Sequence, residues 1–300
     1  MTPAPLSPAT EDRLARLLGT GVAAAASLGS QHGAARYRLN LADGRLAFAK
    51  INDHPHAGNE AVTPAASAGF AAEAAGLRWL AEPGTAPVPA VLAADETCLV
   101  IEWLDGERPS AAAAGSFGRE LARLHDAGAE HFGAPWPGTI AGLPLSNDQA
   151  DSWPDWYAAN RVLPYARIAR DRGSLTAADT GLVESAAARS AELAGPAEPP
   201  SRLHGDCWSG NVLWSRGRGW LIDPVAHGGH RETDLAMLAL FGAPHLQKIL
   251  SAYQEAAPLA DGWRGRVPLH QLHPLLVHVC LFGGSYRESA LGAARAVLAA

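Results

Sequence analysis

The sequence predicts an α+β protein of two unequal lobes: a small antiparallel sheet carrying one helix, then a larger and mainly helical part. Three observations point to it. Short strand-like runs separated by turn residues fill roughly the first hundred positions. Asp105-Gly106-Glu107 then breaks the pattern as a hinge, and from Pro109 onward the apolar spacing is almost wholly helical. The expected division is therefore 1–104 and 105–300.

The elements follow in order. Thr10 is a good N-cap for a first helix through Leu14, Leu17 and Leu18. Gly29-Ser30-Gln31-His32-Gly33 reads as a small-residue loop whose backbone amides suit phosphate oxygens. Arg36–Leu41 and Arg45–Ile51 read as strands joined by a turn at Asp43-Gly44. Asn52–Pro64 is a polar, Gly/Pro-punctuated loop, and Ser67–Ala81 a helix with Phe70, Leu77 and Leu80 at helical spacing. Ala90–Ala94 and the apolar run Cys98–Leu104 complete the sheet. Helices are expected over Ser110–Ala127, Ser152–Arg170 and Leu175–Ala194, and then roughly over 232–241, 245–257, 267–282 and 285–299. The Pro-, Gly- and Trp-rich tract between the first two reads as an ordered surface loop. Val212–Trp214 and Gly219–Ile222 read as a small hairpin.

Composition narrows the function. The chain of 300 residues is 48% hydrophobic, enough for a sizeable core. No apolar run reaches the roughly 18 residues needed to span a bilayer. The N-terminus lacks the pattern of a secretory leader, so a cytoplasmic setting and no membrane partner are expected. A net charge of −6 without a basic, aromatic-interleaved stripe argues against nucleic acid. Cys98, Cys207 and Cys280 are scattered and form no disulfide or zinc pattern. The close pairs His54/His56 and His227/His230 lack neighbouring ligands and read as loop or capping residues. Among 24 basic residues only Lys50 and Lys248 are lysines. A surviving lysine marks a place where a compact ammonium is needed and a planar guanidinium does not fit. Lys50, at the end of a strand, is that candidate.

The chemistry sits in His204-Gly205-Asp206-Cys207-Trp208-Ser209-Gly210-Asn211 and in Leu221-Ile222-Asp223-Pro224. An Asp and an Asn five residues apart on one loop, with a second Asp closing an apolar strand, have the layout of a phosphoryl-transfer site. In such a site the first Asp accepts the acceptor hydroxyl's proton, and the Asn and second Asp hold magnesium on the nucleotide phosphates. That gives Asp206 as base and Asn211 and Asp223 as metal ligands. Lys50 supplies the cation on the phosphates and Glu73 the carboxylate that orients it. Glu102 and Leu104, where the sheet meets the hinge, are placed to offer backbone groups to an adenine edge. His204 is expected to pack beneath the loop, and Asp234 to tie the loop to the helix behind it. The ring of Trp208 can stack on a sugar face or pack under the loop.

HGDCWSGNVLW followed by LIDPVAHGGHRETDLAML resembles the fructosamine kinase (ketosamine-3-kinase) family, as do FAKIN, FAAEAAGLRWLAE, LVIEWLDG, WPDWYAANRVLPYA and LLVHVCLFGGSYRES. The resemblance spans about residues 20 to 290. It implies a protein-kinase-like fold and ATP- and Mg2+-dependent phosphorylation of the 3-hydroxyl of a ketosamine, free or on a protein lysine. It also places Trp208 on the sugar and Gly29 and Gly33 near the phosphates. Two positions depart from the family pattern: Cys207 stands in place of a leucine, and residues 29–33 lack the usual paired glycines. An aminoglycoside- or choline-type kinase and a catalytically silent nucleotide-binding module stay open as alternatives. The sequence leaves the oligomeric state undetermined.

Overall fold

The computed structural model describes residues 6–31, 33–52 and 64–300, with side chains from 69 onward in the last stretch. His32, His54 and His56 lie outside the described residues. The chain begins with α1 (Pro8–Leu18), β1 (Val22–Gln31), β2 (Ala34–Leu41), β3 (Leu46–Ile51), α2 (Pro64–Ala81), β4 (Val91–Ala94) and β5 (Cys98–Glu102). The five strands form one antiparallel sheet in the order β1-β2-β3-β5-β4.

Alternation along the strands sorts the side chains onto two faces. Ala47, Ala49 and Ile51 of β3, with Cys98 and Val100 of β5, pack with Leu14 of α1. The other parity, Phe48 of β3 with Leu99 and Ile101 of β5, meets Phe70, Ala74 and Leu77 of α2. Lys50 shares the parity of Phe48 and so faces α2. Its partner across the central pair is Leu99. The two predicted strands and the Asp43-Gly44 turn are present, with Gly44 at φ +86°.

One correction falls here. The expected 29–33 loop is mostly strand: β1 runs to Gln31, with a register shift between Ser27 and Ser30, and Gln31 pairs with Ala34. Gly29 (φ +87°) sits at the shift and Gly33 (φ +82°) at the turn. β1 was absent from the expected strands because Val-Ala-Ala-Ala-Ala-Ser-Leu-Gly-Ser-Gln has no apolar alternation. It is a largely exposed edge strand held by backbone pairing to β2.

The second lobe contains α3 (Ala111–Asp126), β6 (Gly138–Ile140), β7 (Leu143–Leu145), α4 (Trp153–Tyr157), a π-helical turn (Ala158–Val162) and α5 (Leu163–Asp171). It continues through α6 (Ala177–Ala188), α7 (Ser190–Leu193), β8 (Ser201–Leu203), a 3-10 turn (Ser209–Asn211), β9 (Val212–Ser215), β10 (Arg218–Leu221) and β11 (His227–Gly229). The chain closes with α8 (Glu232–Leu240), α9 (Leu246–Ala256), α10 (Trp263–Phe282), a second 3-10 turn (Gly283–Tyr286) and α11 (Arg287–Ala299).

The single helix expected over 152–170 is thus split. Pro164 has no amide to donate to the ladder, and the π turn lies just before it. The expected surface loop holds the β6–β7 hairpin and runs into Trp153 and Trp156, both buried in the main core cluster. Short strands β8 and β11 pair with each other and bracket the Asp206 loop and Asp223. Among the described residues no helix is long and apolar enough to cross a membrane.

Candidate active site

The sheet and α2 together place one cation. Lys50 Nζ donates to Glu73 Oε1 and Oε2 at 2.8 and 2.9 Å, and to Asp223 Oδ1 at 2.9 Å. Burial pulls the ammonium's pKa down, but Glu73 and Asp223 outweigh it and hold Lys50 above its ordinary value. Glu73 is also raised. Burial is the main cause, and Asp223 competes for the same ammonium that would otherwise keep the carboxylate low.

The loop after β8 is fixed from below. Asp234, in the first turn of α8, accepts from the His204 amide (2.8 Å) through Oδ2 and from the Gly205 amide (3.0 Å) through Oδ1. His125 Nε2 lies 3.2 Å from Oδ2, and Tyr253 holds the other ring nitrogen at 2.8 Å. Burial would raise Asp234; the hydrogen bond and charge of His125, with His204, hold it below its ordinary value instead. His204 Nε2 reaches the Ile222 carbonyl at 2.8 Å, and its Nδ1 accepts from the Asp206 amide at 3.3 Å. One imidazole therefore links the Asp206 loop to the residue before Asp223.

Gly205 turns the chain at φ +83°, where a Cβ would lie 2.1 Å from the Val225 carbonyl oxygen. Asp223 also takes a left-handed backbone (φ 53°), a conformation that Asp tolerates better than most residues. Asn211 donates through Nδ2 to Asp206 O (2.9 Å) and Oδ2 (2.8 Å). Burial raises Asp206 above its ordinary value, against the opposing pull of His204 and Asn211.

Two cavities meet at this loop. One, of 340 Å3, is lined by Lys50, Glu73, Asn211 and Asp223. The other, of 420 Å3, is lined by rings and aliphatic groups, including Trp153, Trp156, Phe241 and Val277. Asp206 and Trp208 line both. Trp208 is 38% exposed and meets Phe241 edge-on at 6.0 Å. Its ring lies over Gly210, where a Cβ would come within 2.2 Å of it, so the glycine is required by the tryptophan's position.

The structure therefore gathers Lys50, Glu73, Asp206, Trp208, Asn211 and Asp223, with His204 and Asp234 beneath them. Glu102, Leu104, Gly29 and Gly33 line neither cavity. The Glu102 carboxylate pairs with Arg216 at 2.8 Å, its amide is engaged by the Ala90 carbonyl, and Leu104 is buried. Among the described residues of that hairpin, Gln31, between the two glycines, reaches both cavities.

Sequence reasoning missed His125 and Tyr253. The available signal was the apolar face of α3, where Phe117, Leu121 and Leu124 place His125 inside. Among the described residues, His230, Glu232 and His270 form the one cluster with metal-ligand spacing. Arg266 occupies both Glu232 oxygens at 2.9 and 2.5 Å, so the carboxylate already has its cation. His227 and His230 are buried, and His230 accepts from the Glu232 amide, a capping role.

The residues present suit magnesium and nucleotide phosphates. Asn211 uses its amide nitrogen on Asp206 and keeps its carbonyl oxygen for a cation. Asp223, across the same cavity, has a 43% exposed side chain.

Comparison with known proteins agrees with this geometry. The sequence profile of the fructosamine kinase family matches residues 29–300. A crystal structure of a candidate fructosamine-3-kinase from Thermobifida fusca YX-ER1 superposes with a TM-score of 0.92 at 49% identity, covering 98% of this chain and 100% of that one. A candidate ketoamine kinase of Synechocystis is 34% identical over 74% of this chain and 76% of its own. The chloroplastic protein-ribulosamine 3-kinase of Arabidopsis thaliana is 31% identical over 78% and 72%. A profile match running from the β1–β2 hairpin through both cavities to the last residue makes this chain a member of the fructosamine kinase family, a phosphotransferase with the protein-kinase-like two-lobed fold.

Proposed function

We propose that the protein is an ATP- and Mg2+-dependent kinase that phosphorylates the 3-hydroxyl of ketosamines, a step in removing sugar adducts from amines or protein lysines. The observation that carries this reading is the position of Asp206, on the wall shared by a cation-and-carboxylate cavity and a ring-lined one. The first suits nucleotide phosphates and metal; the second suits a sugar and its substituent.

Asp206 takes the proton of the attacking hydroxyl, and its elevated pKa makes it a better base than an ordinary carboxylate. Asn211 and Asp223 hold magnesium, which neutralises charge on the phosphates when bound. Lys50, oriented by Glu73, meets the phosphates. Trp208 offers its exposed ring to the sugar. Residues 1–104 form the nucleotide lobe and 105–300 the catalytic and substrate lobe, with the Glu102–Leu104 backbone at the adenine edge.

The test is ATP consumption and product mass on ribulosamine, fructosamine and aminoglycoside panels, with Asp206→Asn as control. Turnover of ketosamines is expected, with Asp206→Asn lowering kcat by roughly 100- to 10,000-fold. Turnover of another alcohol with none of any ketosamine overturns the substrate assignment.

A further inference from the structure

The ring-lined cavity extends well beyond the reacting hydroxyl. From Asp206 its wall continues outward as a chain of aromatic contacts. Trp208 meets Phe241, Phe241 meets His278 at 4.9 Å, and His278 meets Tyr286 at 4.8 Å and Phe282 at 5.6 Å. Phe282 is 58% exposed, the most exposed large hydrophobic residue described, and marks the solvent end of the path.

The charged groups along this cavity are few, and two are already engaged. Asp234 is occupied by His204, Gly205 and His125. Arg161 donates to the Ser146 carbonyl and to Asn147 Oδ1, and stacks over Trp156 at 4.3 Å. Asp206 is the reacting group. His227 and His273, deeper in, are driven well below the ordinary histidine range by burial. Among the described residues, the outer path carries no lysine or arginine to receive a carboxylate, and its imidazole, His278, directs Nδ1 to the Pro274 carbonyl at 2.7 Å. Aromatic faces repel anions and favour apolar groups and ammonium.

Resting on the ketosamine reading above, we propose that the path Trp208–Phe241–His278–Phe282/Tyr286 binds the substituent on the substrate's amine. It selects adducts of amines bearing apolar or aromatic groups over adducts carrying a free carboxylate beside the amine. A lysine side chain within a peptide, whose own carboxylate is blocked, belongs to the favoured class; a free α-amino acid adduct does not.

The experiment uses the full chain and three adducts of one ketose: with benzylamine, with methylamine and with glycine. The expected kcat/KM order is benzylamine, then methylamine, then glycine, with roughly tenfold between the first two, the equivalent of about 1.4 kcal/mol. Phe282→Ala and Tyr286→Ala, each near the surface, are expected to narrow the benzylamine-to-methylamine ratio to within about threefold, mainly through KM. Equal kcat/KM for the three adducts in the wild type, preference for the glycine adduct, or an unchanged ratio in both variants overturns the proposal. Absence of turnover on all three overturns the ketosamine reading itself and the proposal with it.

Discussion

Gly205→Ala is the most informative single change. The added Cβ would lie 2.1 Å from the Val225 carbonyl oxygen and 2.9 Å from His227 Nδ1, while ordinary contact begins near 3.4 Å. Backbone must therefore give by about 1.3 Å, and little freedom exists for it. Val225 donates its amide to the His204 carbonyl, and Gly205 donates its own to Asp234. The φ of +83° adds strain of roughly 1–2 kcal/mol for a residue with a Cβ. Asp206 is the next residue, so the displacement falls on the proposed base, and about 1 Å of misplacement there costs on the order of 100-fold in rate. The expected result is a kcat reduced by about that factor below the melting transition, with nucleotide affinity little changed. Combined with Asp206→Asn, it should add much less than its separate effect, because both act on one group. The assay is steady-state phosphorylation alongside thermal unfolding. A kcat within about threefold of wild type in a normally melting variant would refute the reasoning.

Other expectations follow from the same geometry. Gly118→Ala puts a Cβ 2.2 Å from the Ile249 carbonyl oxygen, between α3 and α9 and away from the cavities; a loss of about 1–3 kcal/mol in unfolding stability is expected, with kcat per folded molecule preserved. Lys50→Arg retains charge but cannot place a compact ammonium between Glu73 and Asp223; at least a roughly tenfold loss of kcat/KM for ATP is expected, and full activity would remove lysine specificity from the account. Asp234→Asn loses a charge acceptor shared by two amides and His125, and should lower stability by about 1–3 kcal/mol by denaturant titration. Burial alone would raise Glu232, but His270, whose Nε2 lies 3.4 Å from Oε2, and the two hydrogen bonds from Arg266 hold it at about 2. A carboxyl depressed in the folded state stabilises above its unfolded value, here 4.5, and loses that contribution as pH falls toward about 2. Arg266→Met should therefore move the acid-unfolding midpoint to higher pH, followed by far-UV circular dichroism; an unmoved midpoint would contradict the assignment.

The legible parts of the site were those written into short segments. Asp206, Asn211 and Asp223 lie within one loop–hairpin–turn unit, and the parity of β3 sends Lys50 to the α2 side where Glu73 waits. Burial and partner choice at long range were not legible. His125 reaches Asp234 across 109 residues, and only its place on the apolar face of α3 hinted at that. β1 escaped because its pairing is made by backbone atoms, which carry no residue pattern. The split of the 152–170 helix followed from Pro164, whose missing amide was visible but whose π-helical accommodation was not. The ring path was invisible for a different reason. Its members come from the Asp206 loop, the end of α8, the end of α10 and the 3-10 turn that follows it, and periodicity describes one element at a time.

The bond from Lys50 to Asp223 has a consequence for the resting protein. Without a cation nearby, Glu73 and Asp223 would be two anions facing across an open cleft, one from each lobe. Lys50 stands between them as an internal counter-ion and holds the second lobe's carboxylate in register with the first. On the proposed assignment, a magnesium ion held by Asn211 and Asp223 would supply the positive charge that Lys50 now offers Asp223, and Lys50, kept in place by Glu73, would serve the phosphates. The cleft's charge is thus balanced by the chain's own residues, through a bond that ties Asp223 of the second lobe to the sheet of the first.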